Sequence, residues 1–147
     1  SKKEFLLSSA ARESVYAFYA ADSGLECGAY WSSQGKFATS SSDFNGVTCG
    51  ENQGSSYSLI SNLNLDNTAG TYGPHIYTFR VPTGGNSGAS CAIVKLTQSY
   101  IDTDPGPAEV LIPQTNIESR GYNTGWSSTD CSQTSSKRVE RALNYTF

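Results

Sequence analysis

Apolar residues in the first part of the chain recur at spacings of three, four and seven. This spacing predicts an amphipathic helix from Phe5 to about Trp31, with Gly35 as its stop. No proline interrupts the segment. The residues expected to face the interior are Leu7, Ala11, Ser14, Phe18, Ala21, Leu25 and Ala29.

The back of this predicted helix is also apolar. The stretch Val15–Ala21 (VYAFYAA) is hydrophobic nearly all round, and Tyr16, Ala20, Cys27 and Trp31 fall on the far side from the interior stripe. A surface helix of a monomer normally keeps one polar face. The pattern therefore indicates two buried faces, one against a sheet and one against a second subunit. In the alternative interpretation, loops of the same chain cover the back.

After Gly35 the hydrophobic period changes to two, which is typical of strands. One long helix followed by antiparallel strands predicts an α+β fold with the helix on one sheet face. Pro113 makes its own segment an edge strand or a loop, and turns are expected at 83–88 and 102–107. The strand candidates are Phe44–Cys49, Tyr57–Leu65, His75–Val81, Ser90–Thr97, Val110–Glu118 and Arg138–Phe147.

Composition narrows the class of protein. The length of 147 residues fits one domain, 1–147. Only 16% of residues are charged, the net charge is -3 and the pI is about 5.0. Lysine and arginine are scattered, so the chain lacks the basic surface that binds duplex nucleic acid.

The four cysteines are Cys27, Cys49, Cys91 and Cys131. They form no close pair and the chain has a single histidine, which disfavours structural zinc. Two disulfides and an oxidising compartment are expected, with three connectivities possible. Four free thiols in a cytosolic protein are the alternative. Export requires a targeting segment, which we expect upstream of Ser1.

Candidate catalytic and metal sites are weak. Asp102 and Asp104 resemble the start of a calcium loop, but a Pro/Gly turn explains them better. His75, the only imidazole, follows Pro74 and has no nucleophile elbow to serve. We therefore predict no enzyme activity, no cofactor and no metal. Aromatics in or near loops offer a contact patch for a glycan or protein: Tyr57, Tyr72, Tyr100, Tyr122 and Trp126.

Four segments together resemble the type IV pilin and pseudopilin family, most of all minor-pilin-like proteins of candidate-phylum bacteria. The first segment has the form that ends the long α1 helix of such proteins, and the last looks like their closing strand. The segments are ESVYAFYAADSGLECGAYW (13–31), CAIVK (91–95), IESRGYN (117–123) and KRVERALNYTF (137–147).

The resemblance implies a pilin-like fold in which 1–31 is the C-terminal half of α1 and 36–147 a β-rich head. The hydrophobic first half of α1, which anchors pilins in the membrane and then forms the filament core, is not in this sequence. Of the three connectivities we favour Cys27–Cys49, which would tie the helix end to the following loop, with Cys91–Cys131. The resemblance supports the second pairing, because comparable pilins staple their C-terminal region.

The function that the resemblance implies is that of a major or minor subunit of an extracellular type IV pilus or pseudopilus. Its partners would be other pilin subunits, the assembly machinery and a host-cell or surface ligand, with subunit contacts through Tyr16, Ala20 and Trp31. Such proteins lie at the cell surface and are membrane-anchored before assembly. The alternative is a secreted or filament-tip adhesin that binds through the loop aromatics.

Overall fold

The chain begins with one long helix that ends at a glycine. The computed structural model describes residues 2–35, 37, 49, 61–66, 74–84, 88–102, 106–107, 110–127 and 130–147. Helix α1 spans Lys2–Ser33. Gly35 has a φ of 77°, and its N–H donates to the Ser32 carbonyl at 3.0 Å. Glycine enters this left-handed conformation without a Cβ clash, so the predicted stop at Gly35 is confirmed.

An antiparallel sheet follows the helix, and the predicted α+β class is confirmed. Within the described ranges, five strands pair in chain order, each with the next. The predicted strands at His75–Val81 and Ser90–Thr97 are present, the second longer than expected. Of the two earlier strand candidates, Phe44–Cys49 lies outside the described residues except for Cys49, and so do residues 57–60. The strands are β1 (Ser61–Asp66), β2 (His75–Pro82), β3 (Cys91–Asp102), β4 (Leu111–Tyr122) and β5 (Glu140–Thr146).

The expectation that Pro113 would confine its segment to an edge or a loop is wrong. Strand β4 is twelve residues long and lies between β3 and β5. Thr115 and Phe147 exchange backbone hydrogen bonds of 2.8 and 2.9 Å, and hydrogen-bonded pairs alternate along an antiparallel ladder. The missing N–H of Pro113 therefore points to the β5 side, beyond the last residue that β5 pairs. The proline interrupts no ladder hydrogen bond there.

Helix α1 lies over β4, between β3 and β5, and its contact face is made of small residues. Gly121 of β4 faces the helix backbone at Ala17 and Ala21, where a Cβ on the strand would collide with main-chain atoms. The helix therefore approaches the sheet more closely than large side chains would allow. The buried positions along this face are Ala17, Ala20, Ala21, Gly24 and Gly28.

The main core fills the space between the helix and strands β2 to β4. Phe37 stacks on Phe79 at a ring distance of 5.6 Å and meets Tyr77 edge-on at 5.2 Å. The disulfide Cys27–Cys49 joins the helix to this cluster. Burial raises the pKa of Tyr77, because the phenolate would lose its hydration.

A second cluster lies on the other sheet face. There the disulfide Cys91–Cys131 packs with Trp126, which is only 3% exposed. The Arg138 guanidinium lies 3.8 Å above the Tyr122 ring and donates to the Cys131 carbonyl at 2.6 Å. Both disulfide pairings favoured by the resemblance are therefore present, and this one anchors the segment that leads into β5.

Asn123 connects the helix, β4 and the start of β5. Its Nδ2 donates to Glu13 Oε2 at 2.8 Å and to the Lys137 carbonyl at 2.9 Å. Its Oδ1 accepts from the Val139 N–H at 2.5 Å. This one amide side chain thus fixes the start of β5 relative to α1 and β4.

We predict that Gly121→Ala lowers the free energy of unfolding by about 2–3 kcal/mol, because the new methyl group meets helix backbone that cannot rotate away. Gly28→Ala is the matched control. Its Cβ would lie 3.4 Å from the nearest Ile117 atom, an ordinary contact, so helix propensity should stabilise the protein by about 1 kcal/mol. Urea titration of both variants measures the difference, and equal effects would contradict the close helix–sheet approach.

We also predict that the double substitution Cys91→Ala and Cys131→Ala lowers the free energy of unfolding by about 2–4 kcal/mol. The disulfide closes a chain segment with a sequence separation of 40, and its loss frees the unfolded chain. Denaturant midpoints give the measurement, and the exposed substitution Ser132→Ala serves as the control. A loss below about 1 kcal/mol would show that the surrounding cluster holds the segment without the bond.

Candidate interaction site

The side of α1 turned away from the sheet carries large apolar side chains that are exposed. We call Val15, Tyr16, Phe18, Tyr19 and Tyr30 the outward aromatic face; their exposed fractions range from 45% to 61%. Single exposed apolar residues are common on protein surfaces, but a contiguous group on one helix marks an interaction site.

Two rings of this face contact the ring of the next residue in the chain. Phe18 meets Tyr19 edge-on at a ring distance of 6.1 Å, and Tyr30 meets Trp31 at 4.9 Å. Aromatic side chains have few rotatable bonds, so a partner that buries them pays little conformational entropy. The arrangement suits a protein–protein contact.

The structure corrects which helix positions face outward. Of the three residues predicted to contact a subunit, only Tyr16 is exposed. Ala20 is 1% exposed and faces the sheet, and Trp31 is half-buried against the main core. Phe18, expected inside, is outside. The helical spacing of the apolar residues was predicted correctly, but the side of the helix that faces the sheet was not. The reason is that alanine and glycine lie where α1 comes closest to β4, and the larger aromatic rings face outward.

Apolar residues do lie on two sides of α1, one packed on the sheet and one exposed. The segments that the alternative interpretation invokes as covering loops lie largely outside the described residues, so a second subunit and loops of the same chain both stay predictions for the cover. Among the described residues, the exposed Arg12 precedes the face along the helix, and the exposed Glu26 lies within it, between Tyr19 and Tyr30. The face is thus an apolar group formed by its first four residues, with Tyr30 beyond a charged position.

The opposite side of the sheet carries a group of exposed charges. Arg120 lies 2.6 Å from Glu140 and 2.8 Å from Glu118, and both carboxylates raise the pKa of its guanidinium. These groups are exposed to solvent, so their ion pairs contribute little stability. Lys95 is also exposed on this side of the sheet. This side of the sheet therefore combines exposed charges with the cluster around Trp126 and the exposed pair Ile101 and Ile112.

The strand next to the helix adds apolar surface that sequence reasoning missed. Tyr145 and Phe147 lie on the helix side of the sheet, are about half exposed, and have ring centroids 5.4 Å apart. The alternation Leu143, Tyr145, Phe147 was recognised as a strand signal. Its significance as surface depends on β5 being an edge strand, which only the topology reveals.

The remaining candidates do not come together as a site. Asp102 ends β3, and Asp104 lies outside the described residues. In the part of the chain that the structure describes, no cluster of three or more His, Cys, Asp or Glu side chains is placed to hold a metal ion. His75 is 3% exposed at the start of β2.

Of the loop aromatics that were expected to form a binding patch, two of the three in the described residues are covered. Trp126 is buried beside the disulfide, and Tyr122 lies under Arg138. Burial is the main cause that raises the pKa of Tyr122, followed by the charge of Glu140. Tyr100 belongs to β3 and is half-buried, while Tyr57 and Tyr72 lie outside the described residues.

Comparisons with models of known protein families, with curated proteins and with solved structures find no match to this chain. Within the described residues, no helix is both long enough and apolar enough to cross a bilayer.

We predict that neighbouring substitutions on α1 separate its two faces. Tyr19→Ala should change the free energy of unfolding by less than about 0.5 kcal/mol, because the ring is exposed. Ala20→Leu should lower it by about 1–3 kcal/mol, because the larger side chain has to fit between helix and sheet. Chemical denaturation of the two variants is the test, and the reverse order would contradict the face assignment.

Proposed function

We propose that this chain is a subunit of an extracellular filament of the type IV pilin or pseudopilin kind. The observation that carries the proposal is the outward aromatic face, on a 32-residue helix whose other side is packed on a sheet. A helix built in this way has one side committed to its own domain and one side open to another molecule.

Filament assembly would bury the outward aromatic face against α1 helices of neighbouring subunits. Full burial of one large apolar side chain contributes roughly 1.5–3 kcal/mol before the costs of association. Several such side chains repeated at every subunit contact give an additive driving force. The charged side of the sheet would then face solvent along the filament.

Two further features support an extracellular structural role. The disulfides Cys27–Cys49 and Cys91–Cys131 are typical of proteins in oxidising compartments. The second one anchors the segment before the last strand, as in the pilins that the sequence resembles. The proposed role needs no catalysis and no cofactor.

A secreted or filament-tip adhesin was the alternative expectation. It relied on aromatic residues in loops, but Trp126 is buried and Tyr122 is covered by Arg138. Among the described residues, most of the exposed aromatics lie on α1, with Tyr145 and Phe147 beside it, which supports a subunit contact over a glycan patch in the loops.

The decisive variant carries Tyr16→Glu and Tyr19→Glu in the encoding organism. We expect the amount of chain in sheared surface filaments to fall at least tenfold, roughly, because two charges would be desolvated in each subunit contact. Quantitative mass spectrometry of the filament fraction gives the readout. Lys95→Glu is the matched control, since it places a carboxylate on the other side of the sheet.

Equal incorporation of both variants, or recovery of the chain only from the culture medium, would overturn the proposal. The gene provides a second check. The proposal requires a short basic leader, a prepilin-type cleavage site and about 20 apolar residues upstream of Ser1. A conventional secretory signal with an Ala-x-Ala site directly before Ser1 would contradict it.

A further inference from the structure

Strand β5 is an edge of the sheet that pairs with no further strand in the part of the chain that the structure describes. It pairs with β4 from 116 to 122 without a break in register, it contains no proline or lysine, and its only charges are Glu140 and Arg141 at its first two positions. Every residue of it except Leu143 is exposed. Natural sheets normally protect such an edge with a bulge, a proline, a lysine or a covering segment. The other edge strand, β1, does have an irregular register, between Ser61 and Asn64.

The backbone groups that β5 offers outward follow from its ladder with β4. Because Thr115 and Phe147 form a hydrogen-bonded pair, the odd-numbered residues of β5 bond to β4. The N–H and C=O groups of the even-numbered residues point away from the sheet. These residues are Glu140, Ala142, Asn144 and Thr146.

We infer that β5 pairs antiparallel with β5 of a second copy of this chain, with Leu143 opposite Leu143. This register is self-complementary. It places Ala142 opposite Asn144 and Glu140 opposite Thr146, so that all four outward residues of each strand form hydrogen-bonded pairs. The contact joins the two sheets into one continuous sheet about a two-fold axis.

The side chains that meet across this register are compatible. On the helix side, Arg141 lies opposite Tyr145 of the other copy, where a guanidinium can stack on a phenol ring. This pair occurs twice because of the two-fold axis, and no like charges face each other. In the single chain, Arg141 donates to the neighbouring Glu140 carbonyl at 2.9 Å, an exposed local bond that pairing replaces.

Exposed apolar surface beside β5 also supports pairing with a second copy of the chain. At about 100° per residue, Phe18 lies on the opposite side of α1 from Cys27. Cys27 is bonded to Cys49 in the cluster on β2 and β3, so Phe18 lies on the β5 side. Phe18 is level with Arg141, whereas Tyr145 and Phe147 lie further along β5, because Tyr145 pairs with Ile117, which faces Gly28. We call these three exposed residues (Phe18, Tyr145 and Phe147), at the two ends of the groove between helix and sheet edge, the apolar strip.

In the two-fold pairing, the second copy would bury this apolar strip. Each α1 lies over β4, and the β4 strands of the two copies would be three strand spacings, about 14 Å, apart. Packed helices lie about 8–10 Å apart, so the space between the two helices holds one layer of additional side chains. The apolar strips of both copies line this space and supply that layer.

This inference does not rest on the proposed function. The two-fold axis makes the two α1 helices antiparallel, whereas α1 helices in a filament of the proposed kind run parallel. The pairing is therefore an association of the free subunit through β5, separate from contacts through Tyr16 and Tyr19.

Sedimentation velocity of the purified chain from about 1 μM to about 1 mM tests the pairing, a range that covers moderate to weak affinities. We expect a reversible monomer–dimer equilibrium. Ala142→Pro should abolish it, because proline removes an outward donor and leaves the bonds to β4 intact. Ala142→Ser keeps the donor and should dimerise normally.

A charge exchange tests the register. Tyr145→Arg puts two arginines opposite each other at both symmetric positions, and we expect the dissociation constant to rise roughly tenfold or more. Adding Arg141→Tyr restores the pair in reverse and should restore dimerisation. Circular dichroism and disulfide mapping check that each variant is folded.

Three results would overturn the inference: a monomer at every concentration, a dimer unaffected by Ala142→Pro, or loss in Tyr145→Arg that Arg141→Tyr does not rescue. The exposed Tyr145 position keeps the test valid even if the proline variant misfolds. Tyr19→Ala should leave the dimer unchanged, which distinguishes this contact from the filament contact.

Discussion

The close approach of α1 to β4 is the contact on which the rest of the structure depends. Gly121 lies directly beneath the backbone of Ala17 and Ala21, and Gly24 and Gly28 continue the same line along the helix. Small residues here bring helix and sheet backbones together, so the core beside them can be filled by β2 and β3 side chains. The same choice leaves no room between helix and sheet for Tyr16, Phe18 and Tyr19, which form the outward surface.

Much of this architecture was predictable from the sequence, because hydrophobic periodicity and the residues that end helices are local properties of the chain. Gly35 ends the helix as expected, and the alternation around Tyr77 and Phe79 gives β2. The phase of the helix was not predictable in this way. Hydrophobicity favours placing Phe18 inside and Ala20 outside, whereas backbone proximity at Gly121 requires the opposite.

Pro113 shows a second limit of local reasoning. A proline excludes a central strand only when its missing N–H faces a neighbour, and that depends on where β5 ends and on the parity of the β4 ladder. The candidate site also depends partly on contacts between distant segments of the chain. The exposed rings of Tyr16 and Tyr19 belong to a recognisable apolar helix, but the apolar strip beside Tyr145 exists only because distant segments meet at one sheet edge.

The two disulfides also determine how far the molecule can extend under tension. Their sequence separations of 22 and 40 remove roughly 200 Å of extended chain from the contour that a pulling force could release. A force along α1 would reach the Cys27–Cys49 crosslink before it could draw out the segment between those cysteines. Mechanical loading would thus lengthen the molecule far less than its 147 residues suggest, with covalent bonds rather than the helix–sheet packing setting the upper limit.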